Sequence, residues 1–349
     1  MKIKFGVMLG NQSTLPRPED LRAMGDLVSL CEDFGAAAIG TYDTSFIGGD
    51  AFVRATLLAE RARSARVGLR PTNPLTREPQ VMAGFAASLD SLTAGRAFLD
   101  VASGDSAVYN IGLKPASRAR IEAYVRCVRE LLANGESDYD GRPQRIRWHR
   151  DAVRPRVPIS ICAEGPRMLH LAGRIADGVI AGTGLTADVV SDTIRRVHGG
   201  AQAEGRSPDE VEIWFTTRTA LDLDRNKAID EVRGSVSSIL NHSMRFGLEG
   251  KNLPEALIPK VQEYVDGYVL YEHVQNHGEN PRRMEALGLT DYAMQRFALA
   301  GDPNDWIARI ESLVECGVQG IWIGPGAHPI ERQMHDMRLF AERIAPHFQ

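Results

Sequence analysis

The sequence is poor in lysine and cysteine and contains no long apolar run. Of its 41 basic residues only six are lysine, an arginine bias of the kind a GC-rich genome imposes. The 45 acidic residues leave a net charge of −4. That balance excludes a strongly basic nucleic-acid binder and a polybasic membrane protein. The four cysteines, Cys31, Cys127, Cys162 and Cys316, form no C-x-x-C pair. Such usage points to reduced thiols in a cytosolic protein and against a disulfide framework or a cysteine-held metal. No apolar stretch approaches the ~18–20 residues of a membrane span. The Met1–Gly6 start has no signal-peptide pattern.

Several catalytic signatures are missing too. No G-x-G-x-x-G follows the first strand, and there is no P-loop, no G-x-S-x-G and no H-E-x-x-H. These absences argue against a dinucleotide-binding open sheet, a nucleotide hydrolase, a serine hydrolase and a zinc protease. His273 and His277 are four residues apart but sit beside Gly278 and Asn280, as solvated helix-end histidines do.

What is present is an alternation of short apolar runs and helix-period segments. The runs are Ile3–Leu9, Ala36–Tyr42, Val67–Thr72, Arg96–Ala102, Pro158–Cys162, Gly178–Ala181, Val211–Leu221 and Gly320–Ile323. Helices are expected between them, over Pro18–Phe34, Ala51–Ser64, Glu78–Leu92, Ser117–Ala133, from Pro166, over Ala187–Ala203 and Asp305–Cys316, and finally Pro329–Ala345. Arg17-Pro18-Glu19-Asp20 suits a helix start. Eight such units predict a (β/α)8 TIM barrel, read as a single unit over 1–349, with its site at the carboxyl ends of the strands. Two departures are expected. Asp140-Gly141, between Glu136–Tyr139 and Gln144–Trp148, predicts a hairpin before the fifth strand. Residues 227–297, interrupted at Leu253-Pro254, at Ile258-Pro259 and by polar Asn276–Arg283, predict a helical insertion after the seventh.

The loops after the strands hold the candidate site residues. Asp43 follows the second strand and either meets a ligand or caps a turn. Thr72, Asn73 and two nearby prolines follow the third, as a rigid ligand wall or a stiff connection. Ser103-Gly104-Asp105-Ser106 follows the fourth and carries more polar and glycine residues than a plain connection needs. Ala163-Glu164-Gly165 and Thr183-Gly184 open the next two helices, where exposed N–H groups bind phosphate. Many glycines, including Gly104, Gly165, Gly182, Gly184, Gly324 and Gly326, fall after strands.

Read together, Asn73-Pro74-Leu75-Thr76-Arg77-Glu78-Pro79, Leu89-Asp90-Ser91-Leu92-Thr93-Ala94-Gly95-Arg96, Ser103–Ser106, Val157-Pro158-Ile159, Ala163–Pro166 and Leu171–Ile180 resemble the luciferase-like flavin monooxygenase superfamily, which includes F420-dependent methylenetetrahydromethanopterin reductases. The resemblance covers essentially the whole chain and implies the same (β/α)8 barrel. It implies that Thr72 and Asn73 lie against a flavin or deazaflavin ring, in a strand that often carries a non-proline cis peptide. It implies that Ser103, Gly104, Asp105 and Ser106 touch the ring edge or ribityl chain. Ala163, Glu164, Gly165, Thr183 and Gly184 would meet the ribityl–phosphate end. Glu78 departs from the many relatives with histidine before the proline.

The reading placed first is a monooxygenase that uses reduced FMN and O2 on a small organic molecule, fed by a separate flavin reductase and assembled as a dimer or tetramer. The alternatives are an F420-dependent oxidoreductase that moves a hydride without oxygen, and a non-catalytic flavin-binding barrel. No obligatory acid–base residue is implied, because the cofactor carries the chemistry. His242, Tyr271 and His273 are polar candidates for substrate contact, with helix-surface roles expected for each.

Overall fold

The computed structural model describes residues 2–10, 18–325 and 329–348. Arg17, Gly326 and His328 lie outside them. Eight parallel strands close into a barrel. In chain order the strands are β1 (Lys4–Met8), β2 (Ala38–Thr41), β3 (Arg66–Thr72), β4 (Ala97–Val101), the hairpin pair β5 (Glu136–Tyr139) and β6 (Arg142–Arg145), β7 (Ile159–Ala163), β8 (Gly178–Ala181), β9 (Glu212–Thr216), β10 (Arg218–Leu221), β11 (Ala298–Gly301) and β12 (Gly320–Ile323). Around the barrel the order is β1, β12, β9, β8, β7, β4, β3, β2. Registers such as Gly6 opposite Ala38, and Val179 opposite Ile213, fix the closure.

The helices are α1 (Pro18–Asp33), α2 (Ser45–Gly48), α3 (Ala51–Arg61), α4 (Pro79–Leu92), α5 (Ser106–Tyr109), α6 (Arg118–Asn134), α7 (Pro166–Ile175), α8 (Ala187–Ala203), α9 (Arg225–Met244), α10 (Ile258–Asp266), α11 (Glu279–Ala286), α12 (Thr290–Phe297), α13 (Pro303–Glu315) and α14 (Ile330–Arg343). Local chemistry sets several starts. The Asp50 carboxylate accepts from the Phe52 and Val53 N–H groups at the head of α3, at 2.8 and 3.2 Å. Asp302 and Asp305 form a reciprocal capping box on α13. The Asp140-Gly141 turn has two positive φ angles, 53° and 70°, as a tight hairpin turn demands. None of the helices among the described residues is long and apolar enough to cross a membrane.

Alternation along the strands sends one set of apolar side chains outward to the helices and the other into the lumen. Val67, Leu69, Leu99, Ile159, Ile161 and Val179 belong to the large core between strands and helices. The lumen holds a separate cluster of Ala38, Phe98, Ile180, Trp214 and Trp322. The two indoles need glycine on the neighbouring strands. A Cβ on Gly6 would lie 2.6 Å from Trp322, and one on Gly320 would lie 2.8 Å from Trp214. Below them, Lys4 and Arg66 both meet Glu212, at 2.7 and 2.9 Å. Above them, Arg70 stacks on Trp322 at 4.4 Å and faces Asp100 at 3.7 Å.

The departures from expectation have local causes. The run 211–221 is two strands. β9 stays in the barrel, whereas β10 leaves it and pairs in parallel with β11. The break is at Thr217, whose hydroxyl donates to the Phe297 carbonyl at 3.0 Å. The helical insertion is therefore stemmed by a strand pair, and its helices α9–α12 begin at Arg225, where Asp224 caps the first turn. They enclose a core of their own, including Val232, Val236, Leu240, Tyr264, Met284 and Phe297. Pro259 opens α10 instead of breaking a helix, and Asn280 and Pro281 lie within α11. The helix expected over 51–64 ends at Arg61. The cis peptide in β3 is Arg70–Pro71, a proline bond and not the non-proline bond the resemblance implied.

Candidate active site at the barrel mouth

Because the barrel strands are parallel, all their carboxyl ends open on one mouth, and the loops carrying the candidate residues meet there. They divide into residues whose polar atoms are consumed by the fold and residues that face one another across the mouth.

The first group holds the wall after β3. Asp43 is 5% exposed. It accepts from the Thr72 hydroxyl at 2.8 Å and grips the Arg77 guanidinium at 3.0 and 2.9 Å. Asn73 accepts from the Leu75 and Thr76 N–H groups, both at 3.0 Å, and donates to the Thr76 hydroxyl at 2.9 Å. The side chains of Asp43, Thr72 and Asn73 thus stiffen the loop. Asp43 caps no turn: its carboxylate is bonded to the Thr72 hydroxyl and the Arg77 guanidinium.

The second group centres on His242, near the end of α9. It is not a helix-surface residue, as expected, but spans two strand ends. Its Nδ1 is 2.8 Å from Asp105 after β4, and its Nε2 is 3.1 Å from Glu164 after β7. Burial disfavours the imidazolium, but the Glu164 and Asp105 carboxylates outweigh it and raise the pKa to about 9. Burial likewise opposes ionisation of Asp105, yet His242 and Arg245 hold its carboxyl well below the usual range. Arg245 donates to Asp105 and covers the rings of Tyr109 and Phe246 at 5.4 and 4.8 Å. Asp105 makes no cap on α5, because its carboxylate is turned to α9. Ser103 and Ser106 are half-buried, and Gly104, at φ 91°, makes the turn between them. His273 packs on Tyr268, whose hydroxyl is 2.8 Å from Nδ1. Tyr271 is 84% exposed.

The third group lines a small, partly open pocket formed by Glu164, Pro166, Thr183, Lys251, Arg296 and their neighbours. Gly165 caps α7 with no side chain; Pro166 has no N–H and the Met168 and Leu169 N–H groups both donate to the Gly165 carbonyl at 3.0 Å, which leaves the Arg167 N–H of the first turn uncapped. The Thr183 hydroxyl is bonded to that of Thr193 at 2.9 Å. Arg296 is buried without a carboxylate partner; it donates to the carbonyls of Thr183, Lys251 and Asn252 and to the Tyr292 hydroxyl. Gly184 leaves the space Arg296 occupies, where a Cβ would come within 2.5 Å. Lys251 donates to the Ser243 carbonyl; burial lowers its pKa, with Glu164 working against that shift.

Sequence reasoning missed Arg218, Arg245, Lys251 and Arg296. Three of these lie in the insertion, and Arg218 lies within a run read as strand. Among the described residues no group of three or more His, Cys, Asp or Glu side chains is placed to hold a metal ion.

A closed parallel barrel whose charged side chains gather on the loops at the carboxyl ends of its strands has the layout of a TIM-barrel enzyme. The family model of the luciferase-like monooxygenases matches residues 1–320, and the chain belongs to that family. It is an oxidoreductase of the flavin or deazaflavin kind. It is 27% identical to a 5,10-methylenetetrahydromethanopterin reductase of Methanopyrus kandleri, over 84% of this chain and 86% of the relative. It is 25% identical to an F420-dependent glucose-6-phosphate dehydrogenase of Mycolicibacterium fortuitum, over 82% and 79%. Among solved structures, the coenzyme F420-dependent tetrahydromethanopterin reductase of Methanopyrus kandleri superposes with a TM-score of 0.75 at 23% identity, covering 100% of both chains.

Proposed function

We propose that this protein is an F420-dependent oxidoreductase that moves a hydride to or from a small organic molecule without oxygen. The observation that carries the choice is the Mycolicibacterium relative, named for F420 and aligned over 82% of this chain. The sequence alone ranked reduced FMN and O2 first; the relatives favour the reading placed second.

The mouth suits such a cofactor on physical grounds. The Arg167 N–H at the head of α7 and the Lys251 ammonium offer hydrogen-bond donors and positive charge to a phosphate beside the small pocket they flank. The wall stiffened by Asp43, Thr72 and Asn73 can support a planar ring. F420, when bound, supplies or accepts a hydride at C5 of its deazaflavin. The chain's own part is to position, to exclude water and to manage protons. His242, bonded to a carboxylate through each ring nitrogen, is held as a cation near neutral pH. It keeps Asp105 ionised, with Glu164 on its other ring nitrogen, beside the place where a substrate hydroxyl or amine would change its proton count.

An anaerobic titration of the cofactor-free protein with F420, FMN and reduced FMN tests the reading. F420 should bind at least about tenfold more tightly than either form of FMN. Tight binding of reduced FMN, with oxygen uptake stimulated by an organic substrate, would sink it.

A further inference from the structure

Arginine is abundant in this chain, and partner accounting sets one residue apart. Every other half-buried or buried guanidinium among the described residues has a hydrogen-bond or ion-pair partner. Arg77 grips Asp43 at 2.9 Å, Arg154 grips Asp90 at 2.7 Å and Arg332 grips Asp336 at 2.7 Å. Arg296 satisfies its donors on four protein oxygens. Arg218 is half-buried, and its side chain has no partner among the described residues. The cause is its position. It follows the Thr217 break, as β10 leaves the barrel, with the parity of the lumen-facing Trp214 and Thr216. Its surroundings are the mouth itself. Burial disfavours its charge, Glu164 and Asp105 favour it, and Arg70 opposes it.

Those two carboxylates are already committed. Asp105 serves His242 and Arg245, and Glu164 serves His242. Deeper in the lumen, Arg70 lies over the Trp322 ring and 3.7 Å from Asp100. The mouth therefore sets three cations, Arg218, His242 and Arg245, against two anions. A guanidinium cannot relieve the imbalance by losing its proton. Five N–H donors left unmade in a partly dry site are unfavourable, and they match two oxygens of one oxyanion in a bidentate pair.

We propose that Arg218 receives an oxyanion of the substrate, a carboxylate or a phosphate, so that the enzyme takes an acidic small molecule beside its cofactor. This rests on the F420 reading, which assigns the other anion site, at α7 and Lys251, to the cofactor.

The test uses F420-saturated protein, so that the cofactor's own phosphate occupies the α7 site. Inorganic phosphate and acetate are titrated in by calorimetry, one probe for each oxyanion. At least one should bind the wild type and bind Arg218→Gln about tenfold or more weakly, with Arg218→Lys between the two. The affinity for F420 should be equal in all three proteins, which also shows that the variants fold. Anion binding unchanged in Arg218→Gln overturns the proposal. So does a loss of F420 affinity with anion binding unchanged, because the arginine then serves the cofactor. If the wild type fails to bind F420, the reading of function fails by itself. The anion titration of cofactor-free Lys251→Ala protein, with and without Arg218→Gln, then decides the role of Arg218 by the same criterion.

Discussion

Asp100 and Asp105 are five residues apart, one in β4 and one in the loop that follows, and their surroundings drive them in opposite directions. Asp100 lies in the lumen against Arg70, and burial there pushes its carboxyl up to about 7 despite the pull of Arg70 and Arg66. Asp105 stands at the mouth, where His242 and Arg245 overcome burial and hold it ionised far into acid. The lumen of the barrel is filled with indoles and closely packed polar side chains, and it serves packing. The mouth gathers its charges on the strand-end loops and α9, where the proposed function places a ligand. One strand thus passes from the first regime to the second within two turns of the pleat.

The largest effect should come from breaking the packing of the lumen. Trp322→Ala removes the indole under Arg70 and against Phe98, Trp214 and the glycine strand β1. Urea denaturation should show a loss of about 3–5 kcal/mol. A loss below about 1 kcal/mol would mean that the lumen is not a packed core. Next comes the mouth. Asp105→Asn takes the shared partner from His242 and Arg245, so F420 affinity should fall about 10- to 100-fold in fluorescence titration. Thermal stability should change far less than in Trp322→Ala. A reversed ranking of the two variants would remove the distinction between the ends.

This division was only half legible in the sequence. Apolar runs bounded by glycine and proline marked the barrel strands, and β8 and β12 fall where periodicity put them, at Gly178–Ala181 and Gly320–Ile323. These signals are local and reflect burial. The break at Thr217 was not legible, because Val211–Leu221 carries no glycine or proline and its interruption is set by contacts with Phe297, eighty residues on. His242 was undervalued for the same reason. On its own helix it is one polar residue among several, and only closure of the insertion brings it to Asp105 and Glu164. Asp43 was weighed evenly, since a carboxylate after a strand looks the same whether its partner is Arg77 or a ligand.

The pH dependence sharpens the comparison further. His242 has its pKa raised from 6.5 to about 9, so its contribution to stability is full below about 6.5 and is lost as pH rises through 9. Asp105 has a lowered pKa, so its contribution is present above its ordinary 3.8 and is lost as pH falls toward its folded value. The mouth cluster should therefore contribute in full from about pH 4 to 6.5 and progressively less up to about 9. Asp100 works the other way. The native state holds its proton from its ordinary 3.8 up to about 7, so stability from this residue declines as pH climbs across that window. Chemical denaturation across pH should show a decline between about 4 and 7 that Asp100→Asn flattens, and one between about 6.5 and 9 that His242→Gln removes. If Asp100→Asn leaves the acid limb unchanged, the lumen charge is not responsible for it.

The smallest change addresses how finely the mouth is set. Gly182 follows β8 and faces Glu164; a Cβ there would stand 2.7 Å from Oε1, the atom bonded to His242. Glu164 is the flexible partner, so Gly182→Ala should displace its carboxylate without disturbing the backbone. The fold should lose about 1 kcal/mol or less, the size of one hydrogen bond. The imidazole, with one carboxylate moved away, should titrate at a lower pH than in the wild type. NMR of the His242 ring protons reads this directly, and a titration point unchanged from the wild type would show that Asp105 alone holds the histidine charged.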